Sequence, residues 1–331
     1  MRPVCVLGLG LIGGSLLRAA AASGRAVWGA TLSTEDAKLA AEQGYAVEPT
    51  VQDALARADE QDALVVLAAP LPAIGQLLAT LTEVAPEVRL TDVVSVKSPV
   101  ADMVRRHTPL ARYVGGHPMA GATASGWSAG SATLFKDASW VVGTEDDSDR
   151  EVWRDVVELA LACGARAVPA SADEHDEAVA RVSHLPHLLA AVLASVGADG
   201  GELALALAAG SFTDGTRVAG TRAELVAAMC EGNRDALLPV VDEALGRLGA
   251  ARGSLASTGA LTATIKAGHQ GRQSLDAYRA VDRVEHQVEL NVYDTATRLR
   301  ELGRQGGQIV RLEGATAVLL VPSDLLSDNS G

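Results

Sequence analysis

Residues 4–14, VCVLGLGLIGG, decide how the first part of the chain folds. The first four of these residues form a continuous apolar run, which is typical of a strand buried on both faces. Gly8, Gly10 and Gly13 then give the spacing G-x-G-x-x-G. In a dinucleotide-binding turn the first glycine permits a tight bend, the second lets backbone approach a pyrophosphate, and the third allows the next helix to pack closely.

A helix is predicted over residues 11–22, directly after this turn. Its first backbone N–H groups, including those of Leu11 and Ile12, would face the phosphates of a bound dinucleotide. The alternative is an ordinary glycine-rich turn, but here a buried strand precedes the glycines and a helix follows them. The predicted cofactor-binding residues of this turn are therefore Gly8, Gly10, Leu11, Ile12 and Gly13.

Length and composition limit the class of protein. A chain of 331 residues suits two domains and a tail. Aromatic residues make up only 3%, so alanine, leucine and valine must build the core. The net charge of -13 argues against nucleic acid or an anionic membrane as a partner. The three cysteines show no metal or disulfide spacing, and no leader or membrane-spanning run is recognised. We expect a cytoplasmic protein without a metal site.

Strand and helix patterns alternate through the first half of the chain, which predicts a mostly parallel, doubly wound sheet. From residue 170 the strands vanish and helical periodicity continues to about residue 264. Strand character returns after residue 275, with one helix among the strands. We predict a Rossmann-type dinucleotide-binding domain over 1–169, an all-α substrate and dimerisation domain over 170–275, and a short α+β tail over 276–331.

The end of the second predicted strand bears on the choice of cofactor. Dinucleotide folds usually place an acid there to bind the adenosine ribose, but this chain has Thr31 and Ser33. Without the acid a 2′-phosphate is not repelled, and either hydroxyl could bind one. No arginine stands beside them to pair with the phosphate. We therefore predict NAD or NADP as cofactor, bound in part by Thr31 and Ser33, without a choice between the two.

Side chains capable of catalysis follow two predicted strands and recur in the helical part. Ser95 follows one strand, His117 follows another within GGHPMAG, and SHLPH occupies residues 183–187. Glycines flank His117 at the sheet edge where a nicotinamide would lie, so its imidazole is a candidate base for a substrate hydroxyl. Ser95 is a candidate hydrogen-bond partner for it. His175 stands at an acidic helix start, and we interpret it as structural.

Two further residues have a physical meaning at their positions. Pro186 lies within a predicted helix, where a proline costs ~3 kcal/mol and marks a kink or break. Arg217 lies in a predicted turn between helices. It is either a surface charge or a fork that binds a carboxylate, and its spacing favours neither interpretation.

The chain resembles the prephenate and arogenate dehydrogenases of tyrosine biosynthesis over about residues 4–248. The segments that carry the resemblance are VLGLGLIGGSL, TDVVSVKSPV, GGHPMAGATASG, EHDEAVARVSHLPH, FTDGTRVAG and GNRDALL. The combination of GGHPMAG with SHLPH is highly specific for this family. The resemblance implies a Rossmann domain followed by a helical domain that forms a homodimer.

The resemblance also implies an oxidative decarboxylation, of prephenate to 4-hydroxyphenylpyruvate or of arogenate to tyrosine, with NAD or NADP. By the family's pattern His117 accepts the proton of the ring hydroxyl and Ser95 orients His117. His184 helps to hold the substrate, and Arg217 binds a substrate carboxylate as a charge-assisted pair. His187 is expected where the substrate side chain carries a keto group, which favours prephenate.

Other functions remain as alternatives. A β-hydroxyacid dehydrogenase would use a catalytic lysine in the first long helix of its second domain, and residues 170–200 contain no lysine. A dinucleotide sensor without catalytic activity would not need His117, Ser95 and Arg217 together. The tail from about residue 281 fits only the βαββ portion of the regulatory βαββαβ domain that is fused to some members of the family.

Overall fold

The apolar run that opens the chain forms a central strand of a parallel sheet in the computed structural model, which describes residues 1–122 and 124–327. The strands of this first sheet are β1 (Val4–Leu7), β2 (Val27–Ala30), β3 (Ala46–Val47), β4 (Leu64–Leu67), β5 (Arg89–Asp92) and β6 (Arg112–Tyr113). Their order is β3-β2-β1-β4-β5-β6, which is the order of a Rossmann-type fold. The predicted dinucleotide-binding fold is confirmed.

Helices cover both faces of this sheet because successive side chains of a strand point to opposite sides. The helices of this region are α1 (Leu11–Ala22), α2 (Thr34–Glu42), α3 (Val51–Glu60), α4 (Leu71–Val84) and α5 (Ser98–His107). Val4 and Val6 pack in one apolar cluster with α1 and α2. Cys5 and Leu7 pack in another with α3, α4 and α5, which explains why β1 is apolar at every position.

The single, mostly parallel sheet predicted for the first half is wrong beyond β6, because the later strands form a second sheet. These strands are β7 (Gly116–Pro118), β8 (Ser139–Gly143) and β9 (Arg166–Ala170), and α6 (Arg150–Ala162) connects β8 to β9. β8 and β9 are parallel, whereas β7 runs antiparallel to β8. Because α6 packs against both β5 and β9, it lies between the two sheets and separates the later strands from the first.

Residues 172–280 form the helical part that the sequence predicts after β9. Its helices are α7 (Ala172–Val179), α8 (Leu185–Asp199), α9 (Gly201–Ala206), α10 (Gly210–Thr216), α11 (Ala223–Gly232), α12 (Arg234–Ser257) and α13 (Thr262–Ala280). A π-helical turn, Ala180–His184, joins α7 to α8. This turn ends at His184, shortly before Pro186. Proline has no backbone N–H to donate to a preceding carbonyl, so the predicted interruption of the helix is present.

The sequence pattern missed α13, which continues well beyond residue 264. Every residue of α13 is exposed, so no apolar stripe marks it as a helix. Contrary to our expectation, one stretch, residues 172–199, is long and apolar enough to cross a membrane by length and composition. Its first turns nevertheless attach it to the α/β part, where Asp176 accepts hydrogen bonds from the backbone N–H groups of Lys97 and Ser98.

The C-terminal segment extends the second sheet. β10 (Arg283–Glu289), β11 (Gln308–Glu313) and β12 (Thr316–Pro322) complete the order β10-β12-β11-β9-β8-β7. The predicted βαββ arrangement is present, with α14 (Thr295–Arg304) after β10 and α15 (Asp324–Ser327) at the end. β11 pairs with β9, so these strands continue the sheet that carries His117. Residues 328–331 of the predicted tail lie outside the described part of the chain.

Gly13 should be needed for the stability of the first sheet. A Cβ at this position would lie 1.9 Å from the carbonyl oxygen of Gly8 and 2.8 Å from Cβ of Ala68. We expect Gly13→Ala to lower the free energy of unfolding by about 1–3 kcal/mol, measured by urea denaturation, because α1 must move away from the strands.

Gly10→Ala is the matched control. A Cβ at Gly10 would meet no described atom within 4 Å, and the φ angle of -73° suits any residue. This variant should lose clearly less stability than Gly13→Ala. An equal loss in both variants would contradict the explanation by close packing.

Candidate active site

A cavity of about 1220 Å³ opens beyond the carboxyl ends of β1, β2, β4 and β5, where ligands of doubly wound sheets bind. It reaches from the residues after β2, past the glycine turn, to His117 on β7. Residues of α11 and His187 of α8 complete its wall from the helical part. The glycine turn and the candidate base therefore face one continuous space.

The glycine turn has the geometry that a dinucleotide needs. Gly8 has a φ angle of +107°, and a Cβ there would lie 2.4 Å from the carbonyl oxygen of Ala68. Gly10 borders the cavity, and the side where its Cβ would stand is open. Among the residues that the structure describes, no side chain caps the start of α1, so its first N–H groups are available to an anion beside Leu11 and Ile12.

The two hydroxyls after β2 both line the cavity and have local structural roles as well. The Oγ atom of Ser33 caps α2 by accepting the backbone N–H of Asp36 at 3.1 Å. Thr31 Oγ1 accepts the backbone N–H of Ser33 at 3.3 Å. Each hydroxyl retains its proton to donate to a ligand. Asp36 in turn accepts the N–H of Trp127, which fastens the loop after β7 to α2 at this end of the cavity.

The buried ammonium group of Lys97 and a close backbone contact fix the start of β7. A Cβ at Gly116 would lie 2.8 Å from the carbonyl oxygen of Asp92, so only glycine lets the strand approach β5 this closely. The ammonium group of Lys97 donates to the carbonyl of Gly116 at 2.7 Å and to the carboxylate of Asp92. Tyr113 donates its hydroxyl to the other carboxylate oxygen at 2.7 Å. These contacts determine the position of His117, the next residue.

His117 is hydrogen-bonded to a residue that we had interpreted as structural. Its Nδ1 atom lies 2.7 Å from Nε2 of His175, and Nδ1 of His175 lies 2.7 Å from the carboxylate of Asp176. His175 and Asp176 belong to α7, and both are buried. Among the described residues no hydrogen bond joins Ser95 to His117, although Ser95 lines the same cavity. His175, not Ser95, is therefore the partner of the imidazole.

This chain of contacts selects one tautomer of His117. Because the Asp176 carboxylate accepts, Nδ1 of His175 carries the proton and its Nε2 accepts. His117 must then donate from Nδ1 to His175, which leaves its own Nε2 with a free lone pair. That nitrogen can take a proton from a ligand in the cavity that His117 lines.

The surroundings keep both histidines neutral near pH 7. Burial lowers the pKa of His117 well below its ordinary value, and positive charge at His175 or Lys97 would lower it further. Burial also lowers the pKa of His175, and the hydrogen bond from His175 to Asp176 opposes this shift only in part. An unprotonated His117 is the form that a general base requires.

The residues predicted to hold the substrate occupy different environments. His187 lines the cavity. His184 is fully buried, and its Nδ1 atom accepts a hydrogen bond from Asn233 at 2.9 Å, so it is absent from the cavity wall. Burial lowers the pKa of His184 to about 4. Arg217 is exposed and does not line the cavity. Burial lowers the pKa of His187, and the charge of the nearby Arg217 lowers it further.

Sequence reasoning missed the roles of Lys97, His175, Asp176 and Asn233. For His175 and Asp176 the available signal was the segment EHD, which is separated from SHLPH by residues 177–182 and places a histidine and a carboxylate near the start of α7. Their meaning depends on a contact between α7 and β7, which are 58 residues apart in sequence, and no local pattern reports such a contact.

Two family models match the chain. The nucleotide-binding domain of prephenate dehydrogenase matches residues 15–169, and the dimerization domain of prephenate dehydrogenase matches residues 171–259. The prephenate dehydrogenase of Bacillus subtilis is 31% identical over 251 residues, which are 72% of this chain and 66% of that protein. The cyclohexadienyl dehydrogenase of Zymomonas mobilis is 31% identical over 264 residues, which are 77% of this chain and 88% of that protein.

Solved structures agree with these matches. A Corynebacterium glutamicum protein provisionally described as a prephenate dehydrogenase is 48% identical, with a TM-score of 0.80, and the match covers 84% of this chain and 89% of that one. Prephenate dehydrogenase from Aquifex aeolicus, bound to hydroxyphenyl propionate and NAD+, shares the fold, with 22% identity, a TM-score of 0.73 and coverage of 83% and 99%. This chain belongs to the prephenate dehydrogenase family.

Proposed function

We propose that the protein is an NAD-dependent dehydrogenase that converts prephenate to 4-hydroxyphenylpyruvate with loss of carbon dioxide. The observation that carries the proposal is the position of His117, whose Nε2 lone pair is available in the same cavity as the glycine turn. The curated and structural relatives that are named prephenate dehydrogenases support the substrate. Arogenate remains the alternative, and its use would make tyrosine directly.

The open side of Gly10 and the uncapped start of α1 fit the pyrophosphate of a dinucleotide. The nicotinamide of a dinucleotide held in this way would supply the acceptor for the hydride that leaves the ring carbon bearing the hydroxyl. His117 Nε2 accepts the hydroxyl proton as that hydride departs. The ring carboxylate then leaves as carbon dioxide, its bonding electrons make the ring aromatic, and His117 returns the proton to the phenolate oxygen.

His175 and Asp176 assist this step by stabilising the protonated form of His117. Once Nε2 of His117 carries the proton, its Nδ1–H donates more strongly to His175. The nearby carboxylate of Asp176 offsets part of the positive charge. Ser95 lines the cavity beside His117 and, on this proposal, contacts the ring hydroxyl or the nicotinamide.

The helical part is proposed to hold the substrate side chain. His187 lines the cavity, and burial lowers the pKa of its imidazole. On this proposal it lies beside the keto group of the substrate side chain, which favours prephenate. Arg217, next to His187, remains the proposed partner of a substrate carboxylate. Arg222, unlike Arg217, lines the cavity itself. His184 does not line the cavity and is proposed to support the site indirectly, through its hydrogen bond with Asn233.

We propose NAD as the cofactor in preference to NADP. The cavity wall around Thr31 and Ser33 includes the carboxylates of Glu35 and Asp36. Among the described residues that line the cavity, Arg222 of the helical part is the only lysine or arginine. A 2′-phosphate near Thr31 would therefore face negative charge, and the described residues that line this end of the cavity include no lysine or arginine.

We also propose a homodimer formed through the helical part. Large apolar side chains are exposed there in a single chain, among them Leu189, Val192, Val196, Leu245 and Leu248. Contiguous apolar surface of this kind marks an interaction site. The family model that matches this region is described as a dimerization domain, which supports a second copy of the chain as the partner.

The proposed function is tested by His117→Asn. This variant keeps a polar side chain at β7 but loses the basic nitrogen, so we expect kcat with prephenate to fall about 100-fold or more while NAD affinity holds. The measurement is NADH absorbance with prephenate and with arogenate, together with NAD titration. His107→Asn, at the exposed end of α5, is the control and should behave as wild type. Unchanged turnover of His117→Asn would exclude His117 as the base.

The preference for NAD predicts a switch at Leu32. This side chain is 87% exposed and lines the cavity next to Thr31. Leu32→Arg supplies the missing cation, so we expect the ratio of kcat/KM for NADP over NAD to rise about tenfold or more. Leu32→Gln has similar length without charge and should keep the wild-type ratio. A wild-type enzyme that prefers NADP would show the proposed preference to be mistaken.

The dimer is tested by sedimentation velocity at micromolar concentration. Val196→Glu places a charge on the exposed apolar face of α8, where the native side chain is 63% exposed, and should weaken the dimer about tenfold or more. Leu110→Glu, where the native side chain is 62% exposed in the Rossmann part, is the matched control. A wild-type monomer, or equal weakening by both variants, would contradict an interface on the helical part.

A further inference from the structure

The C-terminal segment, β10 to α15, follows the second family model, which ends at residue 259. It nevertheless contacts the start of α7. α14 packs against β9, and Gly303 of α14 lies close to Pro169 of β9. A Cβ at Gly303 would lie 2.0 Å from the carbonyl oxygen of Pro169. The backbone of α14 therefore packs directly on the last residues of β9, just before the chain enters α7.

Two carboxylates hold the start of α7. Glu174 forms a capping box with Ser171: its side chain accepts the Ser171 N–H at 2.8 Å, and Ser171 Oγ accepts the Glu174 N–H at 3.2 Å. Glu145, from the end of β8, accepts the N–H of Ala172 at 2.7 Å. Backbone N–H groups that would otherwise lack partners are thus satisfied by two acids.

Arginines of α14 stand beside both of these acids. Arg304 donates to the carboxylate of Glu174 at 2.6 Å. Arg300 donates to the carbonyl oxygen of Thr144 at 2.7 Å, one residue before Glu145, and its side chain is only 13% exposed. Burial raises the pKa of Glu145, and the charge of Arg300 opposes this rise. The two arginines therefore favour the ionised carboxylates that accept the N–H groups of α7.

The next residue of α7, His175, is the hydrogen-bond partner of the candidate base, and Asp176 after it is the partner of His175. His175 and Asp176 follow Glu174 directly, and His117 depends on His175 for its orientation. We propose that Arg300 and Arg304 of the C-terminal segment are positioning residues that fix α7, and through His175 the imidazole of His117. This inference rests on the proposed function for its kinetic readout. The segment then acts as a fixed brace of the active site.

Arg304→Ala tests the proposal in the full-length enzyme. Because the lost ion pair is partly exposed, we expect kcat with prephenate to fall about two- to fivefold while the KM for NAD stays unchanged. Arg304→Lys retains a charge that can reach Glu174 and should recover most of the loss. Arg298→Ala is the matched control, because Arg298 is an exposed arginine on the same helix, and it should behave as wild type.

A double-variant cycle identifies the path of the effect. If Arg304 acts through Glu174, then Arg304→Ala should cause no further loss of kcat in the background of Glu174→Gln. A full additional loss in that background would overturn the proposal. It would also be overturned if Arg304→Ala kept wild-type kcat, or if Arg298→Ala lost as much activity as Arg304→Ala.

A second readout does not depend on the substrate. The ring N–H protons shared by His117, His175 and Asp176 can be followed by NMR in the free protein, as downfield signals of the hydrogen-bonded imidazoles. These signals should broaden or disappear in Arg304→Ala and persist in Arg298→Ala. Failure of the wild type to oxidise prephenate would count against the proposed function alone. Unchanged signals in Arg304→Ala would count against the brace.

Discussion

The carboxylate of Asp176 is the interaction on which the active site depends, because it joins the helical part to the α/β part. One oxygen accepts the backbone N–H of Lys97 and the imidazole of His175, and the other accepts the N–H of Ser98. Burial raises the pKa of this group, yet these donors lower it overall, so the charge is retained inside the protein. Asp176 thereby fastens α7 to the residues after β5, and its hydrogen bond to His175 sets the tautomer of His117.

Two groups of buried charged residues lie near His117, the proposed base. Asp92 and Lys97 hold the start of β7 from the side of the first sheet, and Asp176 holds His175 from the side of α7. Burying an ion costs several kcal/mol unless donors and acceptors satisfy it, so such groups are poor devices for stability alone. Their effect here is to place a neutral imidazole at one position and in one orientation. Pre-organised geometry of this kind is what a proton transfer requires.

The sequence predicts what local patterns can encode. The strand from Val4, the glycine turn and the interruption at Pro186 each follow from residue type and spacing, and each is present. What it misses depends on contacts between distant segments. α6 packs against strands of both sheets, and His175 reaches His117 only because α7 meets β7. Ser33 shows a third limit, since its position after β2 is compatible both with binding a 2′-phosphate and with capping α2.

The base and the substrate-binding groups differ in how firmly the chain holds them. His117 lies on a strand that is paired with β8 and fixed by Lys97, whereas Arg217 lies in an exposed turn of the helical part. That part exposes large apolar side chains of α8 and α12 in a single chain, and the family model that matches it is described as a dimerization domain. On the proposed function, dimer formation would use α8 and α12, and capture of the substrate carboxylate would use Arg217 between α10 and α11, so both depend on the helical part. The proposed hydride and proton transfers depend on the α/β part, which the C-terminal strands complete within one chain.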